Sequence, residues 1–127
     1  MSDLEDLAAL AIECAFSIHR DLGPGLLESC YEILLAATLA RAGLVVERQR
    51  VVDIEYKGIT VREAFRADLI VERRLVIEVK AVDRLAGIHS RQLLTYLKLL
   101  DLPLGLVMNF GGGTLHEGLK RVANSRH

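Results

Sequence analysis

Tryptophan is absent from this 127-residue chain, and tyrosine and phenylalanine contribute only three residues each. That scarcity argues against a platform on which unpaired bases stack. An excess of one charge is missing too: 16 Lys and Arg stand against 17 Asp and Glu, for a net charge of −1. No basic footprint therefore advertises nucleic acid, although Arg62, Arg66, Arg73, Arg74, Arg84 and Arg91 leave room for a local patch. Cysteine is scarce as well. Cys14 and Cys30 fall in helical patterns among apolar neighbours, which reads as buried free thiols in a reducing cytosol. No Cys or His pair has the spacing of a zinc site. No apolar run approaches the ~20 residues that cross a bilayer, and the acidic N-terminus lacks the plan of a signal peptide. The expectation is a cytoplasmic protein with no membrane partner.

What is present is 51% hydrophobic and 26% charged residues, a globular composition, over a length that suits one domain spanning residues 1–127. Ser2-Asp3-Leu4-Glu5 has the form of a capping box, and Leu4, Leu7, Ala8, Ala11, Ala15 and Ile18 keep a helical period. This helix is expected to end near Arg20, ahead of Gly23-Pro24-Gly25. A second helix is expected from that break to about Arg41, with Leu27, Tyr31, Leu34, Leu35 and Leu39 apolar and Gly43 as its cap. Residues 44–50 are β-rich, and Val52, Ile54 and Tyr56 alternate with Asp53, Glu55 and Lys57. Lys57-Gly58 reads as a turn into a return strand. Ser90 is a candidate cap for a third helix from about Arg91 to Leu100, closed by Pro103. Residues 104–110 read as a short apolar strand. Gly111-Gly112-Gly113 lacks the Lys and Ser/Thr of a phosphate loop and reads as a flexible connector. Residues 115–122 fit helical spacing, weakened by Gly118. This order of elements predicts an α/β fold, a mixed sheet flanked by helices.

One stretch carries ionisable residues into apolar strands: residues 65–80, with Asp68, Glu78 and Lys80. Strand side chains alternate, so Glu78 and Lys80 share one face and Leu75, Ile77 and Val79 the other. A three-residue loop at 72–74 sets Asp68 opposite Glu78 and leaves Phe65, Ala67, Leu69, Val71, Leu75, Ile77, Val79 and Ala81 as one apolar face. A two-residue turn would set Asp68 beside Ile77 and mix the faces. The favoured register gathers Asp68, Glu78, Lys80 and Arg66, a set able to hold a divalent metal and an attacking water. Taken alone, the same residues also fit cross-strand ion pairs on a solvated sheet face.

Asp68, then Glu78-Val79-Lys80, then Gln92 and Tyr96 one helical turn apart, resemble the PD-(D/E)XK nuclease superfamily. Gly25-Leu26-Leu27-Glu28-Ser29-Cys30-Tyr31 is similar to the signature of the GxxExxY protein family, a small branch of that superfamily. The likeness runs from about Ile12 to Val122, with Ala67 where the superfamily's name has proline. The resemblance implies a restriction-endonuclease-like core and a metal-dependent nuclease acting on nucleic acid, with DNA favoured. It further implies Mg²⁺ or Mn²⁺ held by Asp68, Glu78, the Val79 carbonyl and, directly or through water, Glu28. Lys80 would polarise the attacking water, and Gln92 and Tyr96 would hydrogen-bond the carboxylates or a substrate phosphate. Tyr31 lies three residues beyond Glu28, on nearly the same helical face.

Two other classes remain open: a non-catalytic module that binds nucleic acid or protein, and a homodimeric scaffold paired through Leu-rich helix surfaces. A separate targeting protein is a further possible partner. His19 reads as a helix-end residue favoured by the helix dipole, and His89 as a phosphate contact or a capping-region residue. His116 and His127 have no visible partners.

Overall fold

The computed structural model describes residues 3–126. Helix α1 (Leu4–Leu22) starts where the Asp3 carboxylate accepts the Glu5 N–H at 2.9 Å. Ser2 lies outside the described residues. The helix runs past Arg20 and stops at Gly23, whose φ of 69° is open to glycine. The Gly-Pro-Gly break is longer than expected, and α2 (Glu28–Arg41) begins only at Glu28. Gly25 sits at φ 123°, which no helix holds. Leu27 is therefore an exposed N-cap rather than part of the apolar stripe.

Strands β1 (Val46–Tyr56) and β2 (Ile59–Val71) form a hairpin around Lys57-Gly58, both at positive φ, as a turn matched to strand twist requires. A loop at residues 72–74 leads into β3 (Leu75–Lys80). Helix α3 (Gly87–Leu100) crosses over to β4 (Leu104–Asn109), which lies parallel to β3. It starts earlier than expected, leaving Ser90 inside it. The start is closed by His89, whose Nδ1 accepts the Ala86 N–H at 3.2 Å. The tail resolves into a 3-10 turn (His116–Gly118) and strand β5 (Leu119–Ala123). The sheet order is β1-β2-β3-β4-β5, antiparallel except at β3–β4. The chain thus has the α/β architecture expected of it, a mixed sheet flanked by helices.

Helices α1 and α2 cover one face of the sheet, where Leu7, Tyr31, Leu35 and Leu39 meet Leu69, Leu75, Ile77 and Met108. Helix α3 covers the other, with Leu93 and Leu97 against Ala67, Ile70, Val76 and Val107. Both faces of β3 and β4 are therefore buried, which explains their unbroken apolar runs. The loop at 72–74 and the register Val71↔Leu75, Ile70↔Val76, Leu69↔Ile77 are as expected. The single apolar face is not. Ala67 and Ile70 are three residues apart yet both pack under α3, so the alternation of β2 slips between them. Phe65 also turns to α3, stacking on Tyr96. Cys14 and Cys30 are free but half-buried rather than buried. No helix among the described residues is long and apolar enough to cross a membrane.

Candidate metal centre

The slip in β2 has a chemical consequence. Leu69↔Ile77 is the last backbone pair that β2 makes toward the end of β3. One step further, side chains replace the ladder: the Asp68 N–H donates to Glu78 Oε2 and the Val79 N–H donates to Asp68 Oδ2, each at 2.8 Å. Each strand's carboxylate is held by the other strand's backbone. The N–H and C=O of a strand residue point the same way, so the Val79 carbonyl borders the same gap.

Glu78 is only 5% exposed. Burial, and after it the charge of Asp68, pushes its carboxyl up to about 8, against the pull of the Asp68 N–H and Lys80. Asp68 is raised to about 6, chiefly by burial, with Glu32 and Glu28 adding to it and the Val79 N–H and Lys80 opposing. Lys80 thus offsets the burial and mutual repulsion of the two carboxyl groups only in part. The Tyr96 hydroxyl is raised as well, by burial and then by Glu78 and Asp68, so it feels the field of the pair.

The other expected residues vary in how closely they join. Lys80 follows Glu78 on the α3 side, half-buried, and its ammonium makes no ion pair or hydrogen bond among the described residues. Glu28, exposed in the first turn of α2, bears on Asp68 through its charge alone. Tyr96 is half-buried with its ring 4.1 Å from that of Phe65, centroid to centroid. Gln92, one turn earlier, and Arg66 are exposed, and neither side chain makes a hydrogen bond or ion pair among the described residues. Tyr31 faces the core instead of the carboxylates. It stacks on Phe110 at 4.7 Å, donates to the Gly23 carbonyl at 2.5 Å and accepts the Leu26 N–H at 3.2 Å. The Gly-to-Tyr signature is thus a clamp that shapes the entry to α2 and presents Glu28 beside the sheet.

Three residues escaped the sequence reading. Glu32 is 4% exposed, takes both Arg48 (2.8 Å) and Gln49 (2.7 Å), and adds its field to both site carboxylates. Gln49 also reaches toward Asp68 Oδ1, at 3.4 Å. Its φ of 51° takes it out of the β1–β2 ladder opposite Asp68. The available signal was Glu32 itself, an acid one turn after Glu28 and set within the stripe Tyr31, Leu35, Leu39. Nothing in the sequence marks the backbone of Gln49.

Among the described residues, no three His, Cys, Asp or Glu side chains gather tightly enough to hold a metal unaided. The donors that do gather, two carboxylates and a carbonyl, suit a hard cation of the Mg²⁺ type. Such a cation keeps several waters and takes its remaining oxygens from substrate phosphate. No curated protein and no solved structure matches the chain. A family model does match, over residues 5–122, which takes in every residue of the clamp. The chain belongs to the PD-(D/E)XK nuclease superfamily.

Proposed function

We propose that the protein is a metal-dependent nuclease that hydrolyses phosphodiester bonds, with DNA the favoured substrate and Mg²⁺ or Mn²⁺ the ion. The observation that carries this reading is the reciprocal clamp of Asp68 and Glu78 at the parted end of β2 and β3, with an unpaired Lys80 beside it. Asp68, Glu78 and the Val79 carbonyl would hold the ion, with Glu28 within reach through water. A bound divalent cation supplies Lewis acidity at the phosphoryl oxygen and lowers the pKa of a bound water. Lys80 would orient the attacking water and stabilise the charge that develops on the phosphoryl group. Tyr96, set in the field of the pair, hydrogen-bonds a carboxylate or the phosphate, and Gln92 reaches substrate from one turn away. Arg48 and Gln49 hold Glu32 so that its charge adds to the pull on a cation. The likeness of residues 25–31 to the GxxExxY signature supports the same branch of the superfamily.

Calorimetry with Mg²⁺ and Mn²⁺ tests the metal site. Wild type should bind, and Asp68→Asn/Glu78→Gln should not while keeping its fold. Cleavage of DNA and RNA substrates should require the ion and be lost in Lys80→Ala. Metal-independent cleavage, or activity unchanged in Lys80→Ala, sinks the nuclease reading. Partner binding indifferent to divalent ions, with no cleavage, would identify a binding module on the same fold.

A further inference from the structure

Three residues past Lys80, where β3 and β4 end, the chain opens into a cavity of about 350 Å³ that the site carboxylates do not line. It is lined by the segment after β3 (Asp83, Arg84), the segment after β4 (Gly112, Glu117), Lys120 of β5 and Asn109. The carboxyl ends of parallel strands are where open α/β sheets receive ligands.

This cavity is built. Buried Asn109 ties its two segments together, accepting the Val82 and Gly111 N–H groups at 2.9 and 3.1 Å and donating to the Val82 carbonyl at 2.8 Å. His19 fixes the far wall by donating from Nε2 to the Gly112 carbonyl at 3.0 Å. The run of three glycines is therefore anchored, not a loose connector.

The glycines differ in what requires them. A Cβ on Gly111 would fall 2.5 Å from the Val82 backbone, and one on Gly118 would fall 2.6 Å from the Asn109 carbonyl, so packing dictates both. Gly112 needs neither positive φ nor clearance. A Cβ there would meet Asn109, Asp83 and Thr114 at an ordinary 3.8 Å, all of them walls of the cavity. A large side chain at 112 would therefore project among the cavity walls without straining the backbone.

The four charged side chains on its walls are exposed to solvent and of both signs. Arg84, Lys120, Asp83 and Glu117 line one cavity, yet none of these side chains joins an ion pair or hydrogen bond among the described residues. A simple anion would leave the two acids repelled, and a simple cation the two bases. A nucleotide satisfies both, with a phosphate for the cations and base amino groups that donate to carboxylates. The volume falls within the roughly 300–1,000 Å³ of small-molecule sites.

We infer that this cavity seats one nucleotide of the bound strand, its phosphate on Arg84 and Lys120 and the amino edge of its base on Asp83 and Glu117. The identity of the strand rests on the nuclease reading. The seat itself does not.

The probe is dGMP, titrated by NMR into isotope-labelled, metal-free protein beside inorganic phosphate and dTMP. Thymine has no exocyclic amine. We expect dGMP to shift the amides of Asp83, Gly112 and Gly113 and to bind about tenfold more tightly than either control. Gly112→Leu should abolish those shifts, and Arg84→Gln/Lys120→Gln should weaken binding about tenfold, with melting curves certifying each fold. No shift at those amides at millimolar dGMP, equal binding of all three probes, or binding unchanged in Gly112→Leu overturns the seat. Mg²⁺-dependent cleavage with no such binding leaves the nuclease and removes the seat. Binding lost in Gly112→Leu, in a protein that cuts nothing, does the reverse.

Discussion

At Asp68 and Glu78 one oxygen of each carboxyl group closes the sheet, and the second oxygen of Asp68 faces the Gln49 amide at 3.4 Å. The arrangement is costly without a cation, and the cost depends on pH. The folded Glu78 carboxyl titrates near 8 against 4.5 for the free side chain, and Asp68 near 6 against 3.8. A raised acid stabilises the fold fully below its unfolded pKa, and that stability is lost as pH rises through the folded value. Metal-free protein should therefore melt several degrees lower near pH 8 than near pH 5. Glu78→Gln should flatten the decline, and Mg²⁺ should oppose it. Thermal scans in chelator and in Mg²⁺ check this, and a decline that survives Glu78→Gln would place its origin elsewhere. Tyr31 gives a second residue-level expectation. Tyr31→Phe keeps the stack on Phe110 but strands the Leu26 N–H and the Gly23 carbonyl, a loss of about 1–2 kcal/mol in urea unfolding. From sequence Tyr31 sits on nearly the same helical face as Glu28. Its stack on Phe110 depends on where β4 ends, which helical spacing does not encode.

Between elements, the seat of α3 on β4 depends on Gly105, where a Cβ would fall 2.8–2.9 Å from the Leu93 side chain. Gly105→Ala should cost about 1–3 kcal/mol, and Leu93→Val in the same chain should recover part of it, as denaturant melts of the single and double variants will tell. The hairpin register was legible because a one-residue slip turns every side chain over, so Asp68 opposite Glu78 followed from the apolar pattern. The face change at Ala67 was not: it lies where Gln49, at φ 51°, and Asp68 drop out of the β1–β2 pairing, and nothing in the sequence marks that backbone. Helix ends were read less well than helix cores. Gly25 delayed α2 to Glu28, and His89 rather than Ser90 set the start of α3. The segment at residues 115–122 became a strand because β4 presents a free edge that β5 completes through Met108↔Leu119 to Leu104↔Ala123.

Across the whole molecule, burial falls from the centre of the sheet outward. β4 is buried along its whole length and β3 along nearly all of it, whereas the far part of β1 and β2 is a two-stranded ribbon with Val51, Tyr56, Ile59 and Val61 exposed. A two-stranded ribbon alone is marginal in water. Amides at residues 54–61 should exchange with solvent far faster than those of β3 and β4. Equal protection would mean that something, such as a second copy of the chain, covers the ribbon. The position of the clamp within one hairpin also bears on how the protein folds. Asp68 and Glu78 meet once the loop at 72–74 closes, an event of about microseconds, whereas β3 and β4 must wait for the long crossover through α3. The two acids come together while still hydrated and are enclosed only afterwards, so the chain never has to carry bare charge into an interior that has already formed.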